Sequence, residues 1–340
     1  MSDLRFDPVS GQWTLVAPNR ENRPVELLPV EKVSERSVCP FCGGNESETP
    51  TALALYDSAG TVLSTCDSTA DEWISRVVPN KYASFGAVNP QTNGQSLDPL
   101  DRGPFTTSSL PGPQELLIPT PRHISSLSEL DDLETQVLWQ ASQDRIALMQ
   151  SGGYARHAML FMNCRSQAGA SLAHVHVQLI GSPVVTSSLA GRVQRNRDCL
   201  ERENKTLVES IVAWELKEDH RIISQSENFT VLCPFASRFA YQTWIVPKRR
   251  DVAFIDLDAE QRNELGQLCR AMTGRLEKRL NNPPYNMLLR MAPFDQAADD
   301  HWYVEILPRT TRAAGFELGT DVWVNPMPPE LAAKHLRCCS

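Results

Sequence analysis

Two imidazoles and an amide recur at every second position in His174-Val175-His176-Val177-Gln178. Strict alternation across Ala173–Ile180 predicts a β-strand, whose successive side chains point to opposite faces. His174, His176 and Gln178 then share one face at a spacing of about 6.6 Å, and Val175, Val177 and Leu179 form a core face. Such a polar row packs poorly but suits a site in which one imidazole is held and the other attacks. Imidazole attacks phosphorus well when the attacking nitrogen is neutral and an acceptor holds the proton of the other nitrogen. His176 is therefore the candidate nucleophile, against the ordinary alternative of a hydrogen-bonded core histidine. Asn163 and the small-residue turn Gln167-Ala-Gly-Ala-Ser171 lead into this strand, and such a turn can bring backbone amides and Ser171 Oγ onto a phosphate oxygen.

Cys39-Pro-Phe-Cys42-Gly-Gly is a second chemical signal. Two thiolates three residues apart fit one side of a tetrahedral zinc site, with glycines that let backbone amides approach the sulfurs. Two further ligands must come from elsewhere, and His123 and His174 are the obvious donors. His157, His220 and His335 show no partner pattern and read as structural or exposed.

Two long helices must position these groups. One is expected from about Ser128 to Gln150, with Leu130, Leu133, Val137, Leu138, Ala141 and Leu148 at helical spacing and Gly152-Gly153 ending it. The other is expected from about Asp258 to Leu280, stopped by Asn281-Asn-Pro-Pro284. Their flanks match. Glu115–Pro119 precedes the first, with His157–Met162 and the His174 strand after it; Thr243–Pro247 precedes the second, with Asn286–Met291 and His301–Leu307 after it. The order strand, helix, strand, strand thus occurs twice, which reads as an internal duplication. Overlaid, His174 meets His301, His176 meets Tyr303 and Gln178 meets Glu305, so only the first copy can carry a histidine nucleophile. The expected fold is α+β, of two related halves, each an antiparallel sheet with a helix packed on one face: residues 1–186 the catalytic half and 187–340 the degenerate one. Asn89–Pro113 reads as a long exposed loop, and Ser187–Lys205 as a polar connection between the halves.

The chain of 340 residues carries 33 basic and 41 acidic residues, a net charge of −8, which argues against nucleic acid as the main partner. No apolar run is long enough to cross a bilayer, and the polar start Met-Ser-Asp-Leu-Arg-Phe-Asp shows no signal peptide, so the cytoplasm is expected. Nine cysteines with one close internal pair suit a reducing compartment and a metal site better than a disulfide framework.

Several further motifs stand in order along the chain: Asp7-Pro-Val-Ser-Gly-Gln-Trp13, Ala17-Pro-Asn-Arg-Glu-Asn-Arg-Pro24, Val78-Pro-Asn-Lys-Tyr82, Gly169-Ala-Ser171, Cys233-Pro-Phe-Ala236 and Gly315-Phe-Glu-Leu-Gly-Thr320. With the knuckle and the His174 strand they resemble the galactose-1-phosphate uridylyltransferase family of the histidine-triad superfamily, close to its ADP-glucose phosphorylase branch. The resemblance implies ping-pong nucleotidyl transfer. His176 attacks the α-phosphorus of a nucleoside diphosphate sugar, sugar 1-phosphate leaves, and a second phosphorylated acceptor takes the nucleotidyl group. It implies that Asn163, Ser171 and Gln178 hold the α-phosphate, that Arg20 and Asn80 lie near the nucleotide, and that Glu317 meets sugar hydroxyls. It also implies one Zn2+ per chain on Cys39, Cys42, His123 and His174, and a possible homodimer. Related hydrolases carry a third histidine at the Gln178 position. A sugar phosphate, with a phosphate pKa near ~6, leaves without a strong general acid, so the amide favours transferase over hydrolase. In the C-terminal half the branch's second metal would use a Cys-x-x-Cys, here Thr206-Leu-Val-Glu209, and a histidine in a loop that here reads Lys248-Arg-Arg-Asp251; only His301 remains. Two alternatives stay open: an ADP-glucose phosphorylase with phosphate as acceptor, and a nucleotide-sugar-binding protein that has lost turnover.

Overall fold

Local capping decides where the two long helices begin. The computed structural model describes residues 2–20, 39–63, 73–86, 100–102, 104–108 and 110–339. The first helix, α1, spans Asp132–Ser151, four residues later than the sequence suggests. Ser126 caps a short 3-10 turn over Leu127–Glu129, and Asp131 then caps α1 by accepting from Glu134 N while Glu134 reaches back to Asp131 N. Two caps in succession leave no continuous first turn. Val137, Leu138, Ala141, Ile146 and Met149 are buried, whereas the expected apolar position Leu148 lies half exposed on the far side.

In the first half β3 (Ala54–Tyr56), β4 (Val62–Leu63), β5 (Ser75–Pro79) and β8 (Gln114–Ile118) precede α1, and β9 (His157–Cys164) and β10 (Val177–Ser182) follow it. A small hairpin, β6 (Leu100–Arg102) and β7 (Phe105–Thr107), stands in the later part of the expected 89–113 loop; positions 89–99 lie outside the described residues. In the second half α2 (Ser187–Glu203), α3 (Leu207–Glu218), β11 (Ile222–Gln225), β12 (Phe229–Leu232) and β13 (Thr243–Pro247) precede α4 (Ala259–Leu280), and β14 (Tyr285–Arg290) and β15 (Tyr303–Pro308) follow. The polar 187–205 stretch is thus mostly helix α2, capped by Thr186 and ended by left-handed Asn204. After β15 come α5 (Gly315–Thr320), β16 (Trp323–Asn325) and α6 (Pro329–Arg337), and β16 joins β1 (Asp3–Asp7) and β2 (Gln12–Val16) in a separate sheet.

The main sheet has eleven strands in the order β11-β12-β13-β15-β14-β9-β10-β8-β5-β3-β4. Read outward from the centre, β9-β10-β8-β5 in one half repeats β14-β15-β13-β12 in the other. The duplication read from the sequence is present, and the two half-sheets meet edge to edge where β9 pairs antiparallel with β14. Closing that edge leaves no exposed central strand. Helices α1 and α4 pack together over one face. Their contact needs Gly266, where an added Cβ would lie 2.6 Å from Thr135 Cγ2. Val175, Val177 and Leu179 join this helix-side core, while Cys39, Phe41, Cys42, Val78 and Ile118 form a separate cluster.

Candidate active site and metal centre

The alternation predicted for 174–178 holds, but the paired strand starts later than expected, at Val177. His174 and His176 precede the ladder because the chain bends there to other partners: Val175 N donates to Ile124 O at 2.8 Å. His174 and His176 are both buried, and Gln178 is half-buried.

Hydrogen bonds fix both imidazole tautomers. A carbonyl oxygen can only accept, so His174 Nε2, 3.0 Å from Thr120 O, carries its proton and leaves the Nδ1 lone pair facing the cysteines. His176 Nδ1 donates to His174 O at 2.8 Å, which leaves Nε2 as the unprotonated nitrogen. Burial lowers the His176 pKa, opposed by that backbone bond, and so favours the neutral ring.

Cys39, Cys42, His123 and His174 bring their ligand atoms within 4.8 Å of one another. His174 Nδ1 lies 3.6 Å from each sulfur, and His123 Nδ1 lies 3.2 Å from Cys42 Sγ. Tetrahedral sites with metal–sulfur and metal–nitrogen bonds near 2.3 and 2.05 Å would set S···N at ~3.6 Å, so the donor set fits a metal ion. The elements around it explain the preorganisation. Gly43 N donates to Pro121 O at 3.0 Å, tying the knuckle to the His123 loop, and an added Cβ at Gly43 would meet Pro121 Cβ at 3.0 Å. Gly44, in open space at φ +90°, turns its N to the Glu46 carboxylate, so Gly43 serves close packing and Gly44 a left-handed turn where amide–sulfur approach was expected. Buried Arg76 holds Pro40 O and Thr49 Oγ1 at 3.1 and 2.9 Å. Glu134, which reaches back to Asp131 N in the α1 capping box, also accepts from Thr120 Oγ1 and Arg122, which fixes the loop bearing Thr120 and His123.

Beside the centre lies a cavity of about 630 Å³ whose walls include Phe41, Asn80, Tyr82, Ser171, His176 and Gln178. Phe41 meets His176 edge-on at 5.1 Å between ring centres. Asn163 lies on β9 next to Met162, the partner of Val177, and does not itself line the cavity. The amides of Ala168, Gly169 and Ala170 bond to Arg165 and Ser166 carbonyls inside the turn, contrary to the expectation that they reach a phosphate. The side chains of Ser171 and Gln178 line the cavity, and Asn163 Nδ2 points to Gly169 O, at 3.4 Å, in the turn that leads to Ser171. Arg20 ends a 3-10 turn and is exposed, and Glu317 sits half-buried on α5, accepting from Ala314 N; neither lines the cavity.

The second half places other groups at the positions matching His176 and Gln178. Tyr303 packs against Trp244 at 4.5 Å, and buried Glu305 accepts from Arg290, Gln242 and Trp244. Burial acts against its charge, but Arg290 and Arg238 hold the Glu305 carboxyl below its ordinary pKa. Where the branch would carry a second Cys-x-x-Cys, Thr206 and Glu209 form the capping box of α3, and Arg250 pairs with Glu209 at 3.4 Å. His301 Nε2 still bonds Pro247 O at 2.7 Å, as His174 bonds Thr120 O, but its Nδ1 has no hydrogen-bond partner among the described residues.

Residues 125–337 match the model of a family described as "Domain of unknown function (DUF4921)". ADP-glucose phosphorylase of Arabidopsis thaliana is 30% identical over 98% of this chain and 92% of its own length. The chain belongs to the galactose-1-phosphate uridylyltransferase family. The galactose-1-phosphate uridylyltransferase of Thermotoga maritima is 25% identical over 99% of this chain and 98% of its own. Among solved structures, the crystal structure of the Arabidopsis ADP-glucose phosphorylase with bound ADP-glucose superposes with a TM-score of 0.82 at 28% identity, covering 100% of both chains. The α+β histidine-triad-like architecture and the enzymatic character of this uridylyltransferase-family chain follow from these matches. Sequence reasoning missed Phe41, Glu48, Thr49 and the Thr120 carbonyl as parts of the site. Phe41 was within reach, because a residue between knuckle cysteines faces whatever the metal holds; Thr120 acts only through its backbone and leaves no side-chain signal.

Proposed function

We propose that the protein moves a nucleoside monophosphate between a nucleoside diphosphate sugar and a sugar 1-phosphate through a covalent nucleotidyl-His176. The observation that carries this is the His176 tautomer: a proton held on Nδ1 by His174 O, and a neutral Nε2 at the wall of a cavity that also presents Ser171 and Gln178. Nε2 attacks the α-phosphorus, the bond to the sugar phosphate oxygen breaks, and sugar 1-phosphate departs with that electron pair. The acceptor's phosphate oxygen then attacks the same phosphorus and frees Nε2. The backbone carbonyl of His174 stabilises the charged ring of the intermediate through its bond to Nδ1–H. Ser171, Asn163 and Gln178 hold the α-phosphate oxygens, and Asn80 meets the nucleotide. Zn2+, one per chain, is the metal this reading puts on Cys39, Cys42, His123 and His174; bound there, it fixes the carbonyl that orients His176. Arg20 and Glu317 stand outside the cavity; their nucleotide and sugar roles, like the homodimer, are carried by the family resemblance. The setting is the cytoplasm, and among the described residues no helix is long and apolar enough to cross a membrane. The two-part division, 1–186 catalytic and 187–340 degenerate, agrees with α2 beginning at Ser187.

One observation favours a second acceptor. The 30% identity and the TM-score of 0.82 both involve an ADP-glucose phosphorylase, so inorganic phosphate in place of sugar 1-phosphate fits the same intermediate. The test is product analysis of enzyme given UDP- or ADP-sugar with either acceptor. Exchange with hexose 1-phosphate supports the transferase, and nucleoside diphosphate formed only with phosphate supports the phosphorylase. Release of nucleoside monophosphate into buffer alone would contradict both.

A further inference from the structure

Asn163 is useful to a phosphate only if its amide nitrogen, not its oxygen, faces the site. Nothing in its own strand decides this, because an amide can turn over at little cost. The adjoining half of the protein decides it. In the β9–β14 register Asn286 is directly opposite Asn163, so the two amides share one face across the seam between the halves.

The polarity of this pair is forced from its far end. Arg309 Nη1 donates to Asn286 Oδ1 at 3.2 Å, and a guanidinium has only donors, so the atom facing it must be the carbonyl. Asn286 Nδ2 then donates to Asn163 Oδ1 and to Ala168 O, each at 2.8 Å. Ala168 O can only accept, which independently demands the NH2 group at that end. Both ends therefore pin the Asn286 amide in one sense. With its oxygen engaged, Asn163 turns Nδ2 toward the 169–171 turn, where it makes one long contact of 3.4 Å to Gly169 O. That is weaker than an ordinary hydrogen bond and can be given up to a stronger, charged acceptor.

We propose that Asn286, oriented by Arg309, is a positioning residue of the degenerate half that sets the Asn163 amide nitrogen toward the α-phosphate of the nucleotide. This rests on the phosphate-holding role assigned to Asn163 above. The second half, which has no nucleophile of its own, thereby acts on the chemistry at His176 through two amides and a guanidinium. Arg309 is itself fixed, since its N donates to Pro284 O at 2.7 Å and its guanidinium lies over the Phe239 ring at 5.0 Å.

The test is a double-mutant cycle on the full chain with Asn163→Ala, Asn286→Ala and both together, reading the rate of covalent labelling of His176 by a saturating nucleoside diphosphate sugar in rapid quench. Asn286→Ala should slow labelling about tenfold, the loss of one well-oriented donor to a charged group. The double variant should be no slower than Asn163→Ala alone. Asn286→Asp adds a sign test. It keeps the shape and the Arg309 contact but offers Asn163 only acceptors, turning the Asn163 oxygen toward the phosphate, and should label more slowly than Asn286→Ala at equal thermal midpoint. Losses that multiply in the double variant, unchanged labelling in Asn286→Ala, or Asn286→Asp faster than Asn286→Ala would overturn the proposal. The same cycle is measured as the dissociation constant of the nucleotide sugar. If wild type binds but is never labelled, the covalent reading fails alone, and coupling in the binding constants still decides the role of Asn286; if it neither binds nor is labelled, both fall.

Discussion

Replacing Cys42 with serine tests whether the four-residue centre holds a metal that the fold depends on. Cys42 Sγ faces both imidazoles, 3.2 Å from His123 Nδ1 and 3.6 Å from His174 Nδ1, and it is buried, so no solvent group can take its place cheaply. Structural zinc sites contribute roughly 10–16 kcal/mol over four ligands, so losing one thiolate should cost about 3–4 kcal/mol, a factor of ~10²–10³ in affinity. Metal binds only the folded chain, so stability at fixed free zinc falls by about the same amount. At about 2.1 cal/mol/K per residue, a chain of 340 residues has an unfolding entropy near 0.7 kcal/mol/K, and the midpoint should fall by about 5 °C. The assay is metal content by elemental analysis after dialysis against a weak chelator, with calorimetric midpoints in zinc buffer. Wild type should retain one zinc, and Cys42→Ser should lose it. A Cys233→Ser control, at a buried thiol outside the cluster, should keep its zinc. A wild-type chain that holds no metal, or a Cys42→Ser chain with unchanged zinc and midpoint, would refute the reasoning.

Three other outcomes follow from the structure. Burial, helped by Arg192 and Arg290, lowers the His157 pKa to about 4, below an unfolded value near 6.5; the stability this residue supports is therefore full above pH 6.5 and lost as pH falls toward 4. By linkage this is about 2 kcal/mol between pH 7.5 and 5, and His157→Asn should flatten the urea-midpoint profile over that range. Glu305→Gln removes the buried partner of Arg290 and should lower unfolding free energy by about 2–3 kcal/mol in urea titration, since Arg290 is partly open to solvent, while leaving zinc content unchanged. Gln178→His supplies a proton-managing group in the cavity and should increase hydrolysis of the labelled enzyme in buffer alone, read as release of nucleoside monophosphate.

Much of the site was legible because its signals are short in sequence. Period-two alternation separated His174, His176 and Gln178 from the valines, and the C-x-x-C spacing with His123 and His174 named the four residues that the structure gathers into a cluster able to hold a metal. The matched flanks of the two helices disclosed the duplication. What stayed hidden depends on pairing between distant segments or on backbone atoms. The delayed start of the strand at Val177 goes with the bond from Val175 N to Ile124 O, a pairing with a distant segment that strand propensity does not express. The join of the half-sheets at β9 and β14, and with it the approach of Asn286 to Asn163, follows from register between residues 123 apart. The fate of the second metal region shows the limit differently. Loss of ligands was readable, but Thr206 and Glu209 had to be seen as a helix cap before the substitution made structural sense.

The most direct measurement is intact-mass and peptide-level mass spectrometry of the enzyme quenched at alkaline pH after mixing with UDP- or ADP-sugar, beside a His176→Asn control. The account predicts a single nucleoside monophosphate adduct on His176, labile to acid, absent from the control and discharged by sugar 1-phosphate or phosphate. An adduct on another residue, or turnover by the His176→Asn protein, would contradict it.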